Sequence, residues 1–249
     1  MEYNLRTRSS ERSFSPRAVP SSVMDDILAS AIQSSNTGNM QIYSIIVTQR
    51  EDLRAELCQK AHFNQQMVKD APVHLTFCAD LNRFNHWCRQ RGAEPGYDNF
   101  LSFFTASVDA IIAAQSACIA AEAHGLGICY LGTVNYNAEA VGKILKLPSH
   151  VVPVATVVMG YPAQKSPVTS RLPVEAVVHY ETYQDFSDQR IDELYAEREA
   201  SDETRDLIQQ NQTPSLAHIF TDKRYTKANN EAFSRALLSY IEQQGFLSK

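Results

Sequence analysis

Arg8-Ser9-Ser10-Glu11-Arg12 sets two arginines around hydroxyl side chains. Guanidinium presents a rigid fork of donors and serine adds another, so this spacing suits a phosphate. A solvated basic terminus has the same composition. Ser35-Asn36-Thr37-Gly38-Asn39-Met40-Gln41 is crowded with amides, which donate and accept and suit the edge of a planar heterocycle. An ordinary helix stop with Asx turns reads the same way. Three further segments stand out: Gln65-Gln66-Met67-Val68 before Ala71-Pro72, the run Gly125 to Thr133, and Gly160-Tyr161-Pro162 followed by Arg171-Leu172-Pro173. Glycines in the second of these allow a ligand close to the backbone. Each has a plain reading as a turn.

Other chemistries lack their residues. There is no G-x-S-x-G, no Walker-type glycine loop, and no histidine pair spaced for one helix face among seven histidines. The five cysteines are odd in number and form no C-x-x-C pair, which reads as reduced structural thiols in a cytoplasmic protein. With 23 Lys+Arg against 28 Asp+Glu the formal charge is −5, a poor balance for gripping nucleic acid. Apolar residues are 44%, too many for a disordered chain. At 249 residues, folding buries about three quarters of the unfolded surface. No apolar run is expected to span a membrane, and Met1 to Arg17, with four arginines, lacks the apolar core of a secretory signal.

The elements that must position these segments follow from periodicity. Val23, Ile27, Leu28, Ala31 and Ile32 predict a helix from about Ser22 to Ser34, with Ser22-Val23-Met24-Asp25 as a capping box. Tyr43–Thr48 and Val73–Ala79 read as strands, with a short helix around Leu53 and Leu57 between them. Leu81 to Asp98 reads as an irregular polar excursion, and Leu81 to Phe104, with Phe84, Trp87, Tyr97, Phe100 and Phe103, is a candidate lining or cover for the acceptor pocket, or an ordinary surface loop. Phe100 to His124 is the strongest helix, apolar on nearly every side and therefore expected to be buried nearly all round. A strand at Ile128–Leu131, a helix at Asn137–Leu145, a strand at Val151–Met159 and a C-terminal helix through Phe233 and Ile241 complete the pattern. Glu181 to Gln210 carries ten acids and three arginines, a net −7 that leaves the remainder at +2. Strands and helices mix without strict alternation, which favours an α+β fold.

Taken in order, the five chemical segments resemble the nitroreductase family of FMN-dependent, NAD(P)H-using oxidoreductases, in its larger branch with a C-terminal extension. Arg8-Ser9-Ser10-Glu11-Arg12 matches the family's opening basic motif, with Ser9 in place of the second basic residue. Asn36 to Gln41, Gln65 with Ala71-Pro72, Gly125-Leu126-Gly127 with Tyr130-Leu131-Gly132, and Gly160-x-Pro162 before Arg171 follow at near-constant spacing. Thr169 stands where the family's last motif has lysine.

The resemblance implies a central, mainly antiparallel sheet flanked by helices, with the long buried helix at a homodimer interface. It implies an FMN-binding part over 1–180 and a helical extension over 181–249 packing on a partner subunit. It assigns Arg8, Ser10, Arg12 and Arg171 to the FMN phosphate with Ser9 nearby, and Asn36 and Asn39 to the pyrimidine edge or ribityl chain. Gln65 goes to the ribityl chain or ring, and Tyr130, Leu131, Gly132 and Thr133 lie along the isoalloxazine. Chemistry then belongs to the flavin, with no catalytic side chain, in a ping-pong reduction of nitroaromatics, quinones or free flavin by NADPH or NADH. Lys223 and Arg224, with Lys227, are candidates for a nicotinamide 2′-phosphate. Ser9 and Thr169 each remove a basic residue, so FMN affinity is expected to be low and salt-sensitive. A flavin-binding carrier or sensor without turnover is the alternative. No metal, nucleic acid or membrane is expected.

Overall fold

One four-stranded antiparallel sheet, in the order β1-β2-β4-β3, carries the structure, a computed structural model describing residues 5–247. The strands are β1 (Tyr43–Thr48), β2 (Val73–Asp80), β3 (Gly127–Leu131) and β4 (Val151–Gly160). β2 and β4 lie in the middle and are buried along almost their whole length, which explains their largely apolar composition; His74, Thr76, Asp80 and Thr156 are the buried polar positions. Residues 1–4, the start of the segment read for a secretory signal, lie outside the described residues.

The described chain divides into two compact units, residues 5–167 with 233–247, and Val168–Ala232. The expected boundary at 180 thus stands against a division after Pro167. In the first unit α1 (Ser21–Ile32) and the long central helix pack on one face of the sheet through Met24, Ile27, Ala110, Ala113, Ala117, Phe77 and Val157. On the other face lie α2 (Glu51–Ala61) and α3 (Gln66–Asp70), with Cys58, Val68 and Ala71 against Cys129 and Val158. α4 (Asn82–Gln90) follows β2, α5 (Phe100–Ala123) is the central helix, and α6 (Thr133–Tyr136) and α7 (Ala138–Leu145) follow β3. The second unit holds α8 (Asp188–Ala200), α9 (Asp202–Asn211), one turn α10 (Leu216–His218) and a π-helical turn, Ile219–Arg224. α11 (Lys227–Gln243) ends in the first unit, where Tyr240, Ile241 and Phe246 bury themselves beside Ile42, Ala79 and Leu81.

Three expectations need correction. The capping box at Ser22 does not form: α1 begins at Ser21, its N-cap is Pro20, and no side chain caps it. The excursion after Leu81 is not irregular throughout but contains α4, whose Phe84 meets both Trp87 and Tyr97 at 5.6 Å between ring centres. Its polar composition hid it: the inward apolar positions are only Leu81, Phe84 and Cys88, among charged and amide side chains. α5 is not buried all round. Its small residues (Ala106, Ala110, Ala113, Ala114, Ala117, Ala121) face inward, while Leu101, Phe104, Val108, Ile111 and Ile112 are 39–71% exposed. By length and mean hydropathy of 1.5, α5 also qualifies as a membrane span, yet half of that window is buried within the fold. Its inward face packs the sheet, as in a core helix. The acidic stretch is also helical: Ser187 caps α8 at the Arg190 N–H and Ser201 caps α9 at the Thr204 N–H.

Candidate functional site

The segment 8–15 runs beside the end of the sheet and is stitched to it. The Glu11 N–H donates to Ile128 O at 3.0 Å, Ser15 N–H to Tyr161 O at 2.8 Å, and Ala163 N–H to Ser13 O at 3.0 Å. Phe14 forms a single bridge with Pro162 and inserts among Cys58, Val68 and Cys129. Gly127 is required for this approach, because a Cβ there would collide with the Glu11 side chain. The phosphate-type residues are therefore held against β3. Both Arg8 and Arg12 are close enough to the Cys129 thiol to lower its pKa, though burial outweighs them and raises it.

Within this segment the roles divide. Glu11 is 4% exposed, and its carboxylate accepts from the Ser9 hydroxyl at 2.8 Å and from the Ser166 N–H at 2.9 Å. Ser9, the departure from the basic motif, is thus committed to Glu11. Ser10 is half-buried and Arg12 exposed. The Arg8 Nε donates to Glu122 Oε1 at 3.2 Å and Oε2 at 3.4 Å. Neither acid had a signal in the sequence beyond its charge.

Gln65 and Thr133 meet through one histidine. The Gln65 Nε2 donates to His62 O at 3.0 Å, and the His62 Nδ1 lies 2.7 Å from the Thr133 hydroxyl. His62 and His74 are fully buried, and each keeps one ring nitrogen without a partner, Nε2 and Nδ1 respectively. Burial lowers both pKa values from 6.5 to about 4, so both rings are neutral at physiological pH. Leu131 is buried, Tyr130 is 39% exposed, and a Cβ on Gly132 would meet only open space. Burial, followed by the neighbouring Cys118 thiol, raises the Tyr130 pKa, so its hydroxyl stays protonated. Burial pushes the Cys118 thiol up to about 12, which makes it inert as a nucleophile.

The amide-rich turn is pinned elsewhere. Asp109 of α5, 2% exposed, accepts from the Thr37 N–H at 3.1 Å and the Thr37 hydroxyl at 3.0 Å. The Asn36 Oδ1 caps the Gln41 N–H at 3.1 Å, and the Asn39 Oδ1 accepts from Gln41 Nε2 at 3.2 Å. Gly38, Asn39 and Gln41 all have φ between 53° and 55°, which only a tight turn explains. Asp109 was missed in the sequence, although an acid within the apolar face of a long helix is itself a signal. Thirteen residues of helix separate Asp109 from Glu122, about 20 Å of rise. One chain therefore gathers Arg8 to Arg12, Gln65 and Tyr130 to Thr133, and holds Asn36 and Asn39 away from Arg8 along α5.

In the second unit the Arg171 Nη1 donates to its own loop, at Thr169 O (3.0 Å), Thr169 Oγ1 (3.1 Å) and Ser170 O (3.1 Å). Lys223 and Arg224 end the π-helical turn and are exposed.

The nitroreductase family model matches residues 5–161. An FMN reductase (NADPH) of Bacillus subtilis (strain 168) is 30% identical, with 94% of this chain and 93% of the relative aligned. An oxygen-insensitive NADPH nitroreductase of Salmonella typhimurium is 35% identical over 75% of this chain and 77% of its own. A solved structure from Bacteroides fragilis NCTC 9343 superposes with TM-score 0.95 at 43% identity, covering 97% of this chain and 98% of that one.

Proposed function

The chain belongs to the nitroreductase family, and from that premise we propose that it is an oxidoreductase that binds FMN and takes electrons from NAD(P)H. The observation that supports this reading is the docking of residues 8–14 on β3, which brings Arg8 and Arg12 close to Cys129 and Arg8 close to Tyr130. The open space over Gly132 fits a flat group at that strand end.

In this reading Arg8, Ser10 and Arg12 hold the FMN phosphate, with Ser9 acting through Glu11. Gln65 and Thr133, braced by His62, present an amide and a hydroxyl to the ribityl chain or ring. The backbone from Tyr130 to Thr133 lies along the ring. When bound, FMN supplies the hydride chemistry, in turn for the nicotinamide and for the acceptor. The protein orients both reactants in one pocket and needs no nucleophile, which agrees with its buried thiols of raised pKa. The acceptors are flat molecules: nitroaromatics, quinones or free flavin.

The site is shared between two copies. The bulky exposed face of α5 is the surface for a second copy, and Asn36 and Asn39, flanking the Thr37 held by Asp109, about 20 Å of helix rise from the Glu122 that meets Arg8, serve the flavin of the other subunit. The second unit, Val168–Ala232, wraps the partner; Val174, Val177, Tyr180 and Tyr183 are 63–81% exposed and need such cover.

Anaerobic mixing of the protein with FMN and NADPH tests the activity. Rapid loss of flavin absorbance is expected; no loss with NADPH or NADH would leave a flavin carrier instead. Turnover with nitrofurazone, a quinone and free FMN in parallel then ranks the acceptors. Lys223 and Arg224 recognise the nicotinamide 2′-phosphate in this account. The Lys223→Ala, Arg224→Ala double variant is expected to raise KM for NADPH about tenfold and to leave KM for NADH unchanged. Equal effects on both nicotinamides would remove these residues from the proposal.

A further inference from the structure

Glu122 is placed where a carboxylate is costly in two ways. It sits in the last turn of α5, at the negative end of the helix dipole, and its side chain is only 8% exposed. Apolar or basic residues serve such a position better. What the position offers is Arg8, whose Nε meets both carboxylate oxygens, at 3.2 and 3.4 Å. Arg8 itself is 24% exposed, so water screens the pair only in part. The second acid of the region, Glu11, is buried in the same segment. Arg8 and Arg12 thus share the phosphate-type motif with the buried Glu11, and Arg8 also meets Glu122.

We propose that Glu122 is an affinity-determining residue for the flavin phosphate: it spends part of the Arg8 charge and so keeps the grip on FMN weak. The inference rests on the assignment of Arg8 to the phosphate. Its physical content is a competition. A phosphate dianion approaching Arg8 meets the field of a carboxylate already bound there, next to the carbonyl end of a helix. Replacing Glu122 by glutamine keeps the side chain's size and an oxygen for the Arg8 Nε but removes the opposing charge. A weak grip suits a protein for which flavin exchanges with solution.

Riboflavin, which lacks the phosphate, is the control ligand. Quenching of flavin fluorescence gives dissociation constants for FMN and riboflavin with wild type, Glu122→Gln, Arg8→Gln and the double variant. Glu122→Gln is expected to tighten FMN about tenfold, to steepen its weakening with salt, and to leave riboflavin unchanged. The double variant is expected to bind FMN no more tightly than Arg8→Gln alone, because the effect acts through Arg8. Arg8→Gln weakening FMN while Glu122→Gln changes nothing would overturn the role of Glu122 and leave that of Arg8. If Arg8→Gln also leaves FMN binding unchanged, the phosphate assignment fails and this inference with it. If Glu122→Gln shifts FMN and riboflavin alike, Glu122 has only a structural role, and the proposal is overturned.

Discussion

Ile111→Asp combined with Val108→Asp is expected to yield a monomer that has lost FMN binding. Both residues lie on the outer face of α5, at 49% and 40% exposure, within a stripe that also holds Leu101, Phe104 and Ile112. Full burial of each large apolar side chain contributes roughly 1.5–3 kcal/mol, so the stripe alone supports a stable interface. Burying two carboxylates without partners costs several kcal/mol each, which weakens association by more than about a thousandfold. Neither substitution touches the inner face, where the alanines meet the sheet, so the subunit keeps its fold. Sedimentation gives the mass and flavin fluorescence the binding. A wild-type monomer, or a monomeric variant that retains FMN, would contradict the shared site.

Stability should fall steeply between pH 6.5 and 4. His62 and His74 are buried and neutral, with pKa values lowered to about 4 chiefly by burial. Above pH 6.5 the imidazoles are neutral in both the folded and unfolded chain, and their contribution is complete. As pH falls below 6.5 the unfolded chain takes up protons that the folded chain refuses, so folding weakens until about pH 4. Each ring accounts for about 3 kcal/mol over that window. Hydrogen bonds from Arg50 and Arg190 hold Asp52 and Glu193 below their ordinary values. Urea unfolding at pH 7.5, 6, 5 and 4.5 measures the slope. A flat curve from 7.5 to 5 would show that these rings are not buried as described. Acid should also disturb the site itself, since a charged His62 cannot remain buried behind Thr133.

The sheet was legible because its strands are short apolar stretches, rich in β-branched residues in β1 and β4, bounded by turn formers: Tyr43–Thr48 is found as read, and the other three differ by a residue at one end. Length and apolar content likewise exposed α5. Its orientation was not legible. Composition announces a helix apolar on all sides, but only packing reveals that alanines fill the narrow space over the sheet and leave the bulky face outward. α4 escaped because its apolar period, Leu81, Phe84 and Cys88, is sparse among polar and charged side chains. The basic motif and the glycine-rich strand end were readable as segments. Their supports were not: Asp109 under Thr37, Glu11 under Ser9, Glu122 against Arg8 and His62 between Gln65 and Thr133 are pairings across large distances in sequence. A local pattern cannot carry such information, because the chain brings these partners together only by folding.

Arg12→Ala probes the phosphate seat at residues 8–12 most directly. Dissociation constants for FMN and riboflavin, measured side by side on wild type and variant, separate the grip on the phosphate from the grip on the ring. The account predicts that FMN weakens at least tenfold while riboflavin is unchanged, as for loss of one charge-assisted contact. Equal constants for FMN on the two proteins, or an equal loss for both flavins, would contradict it.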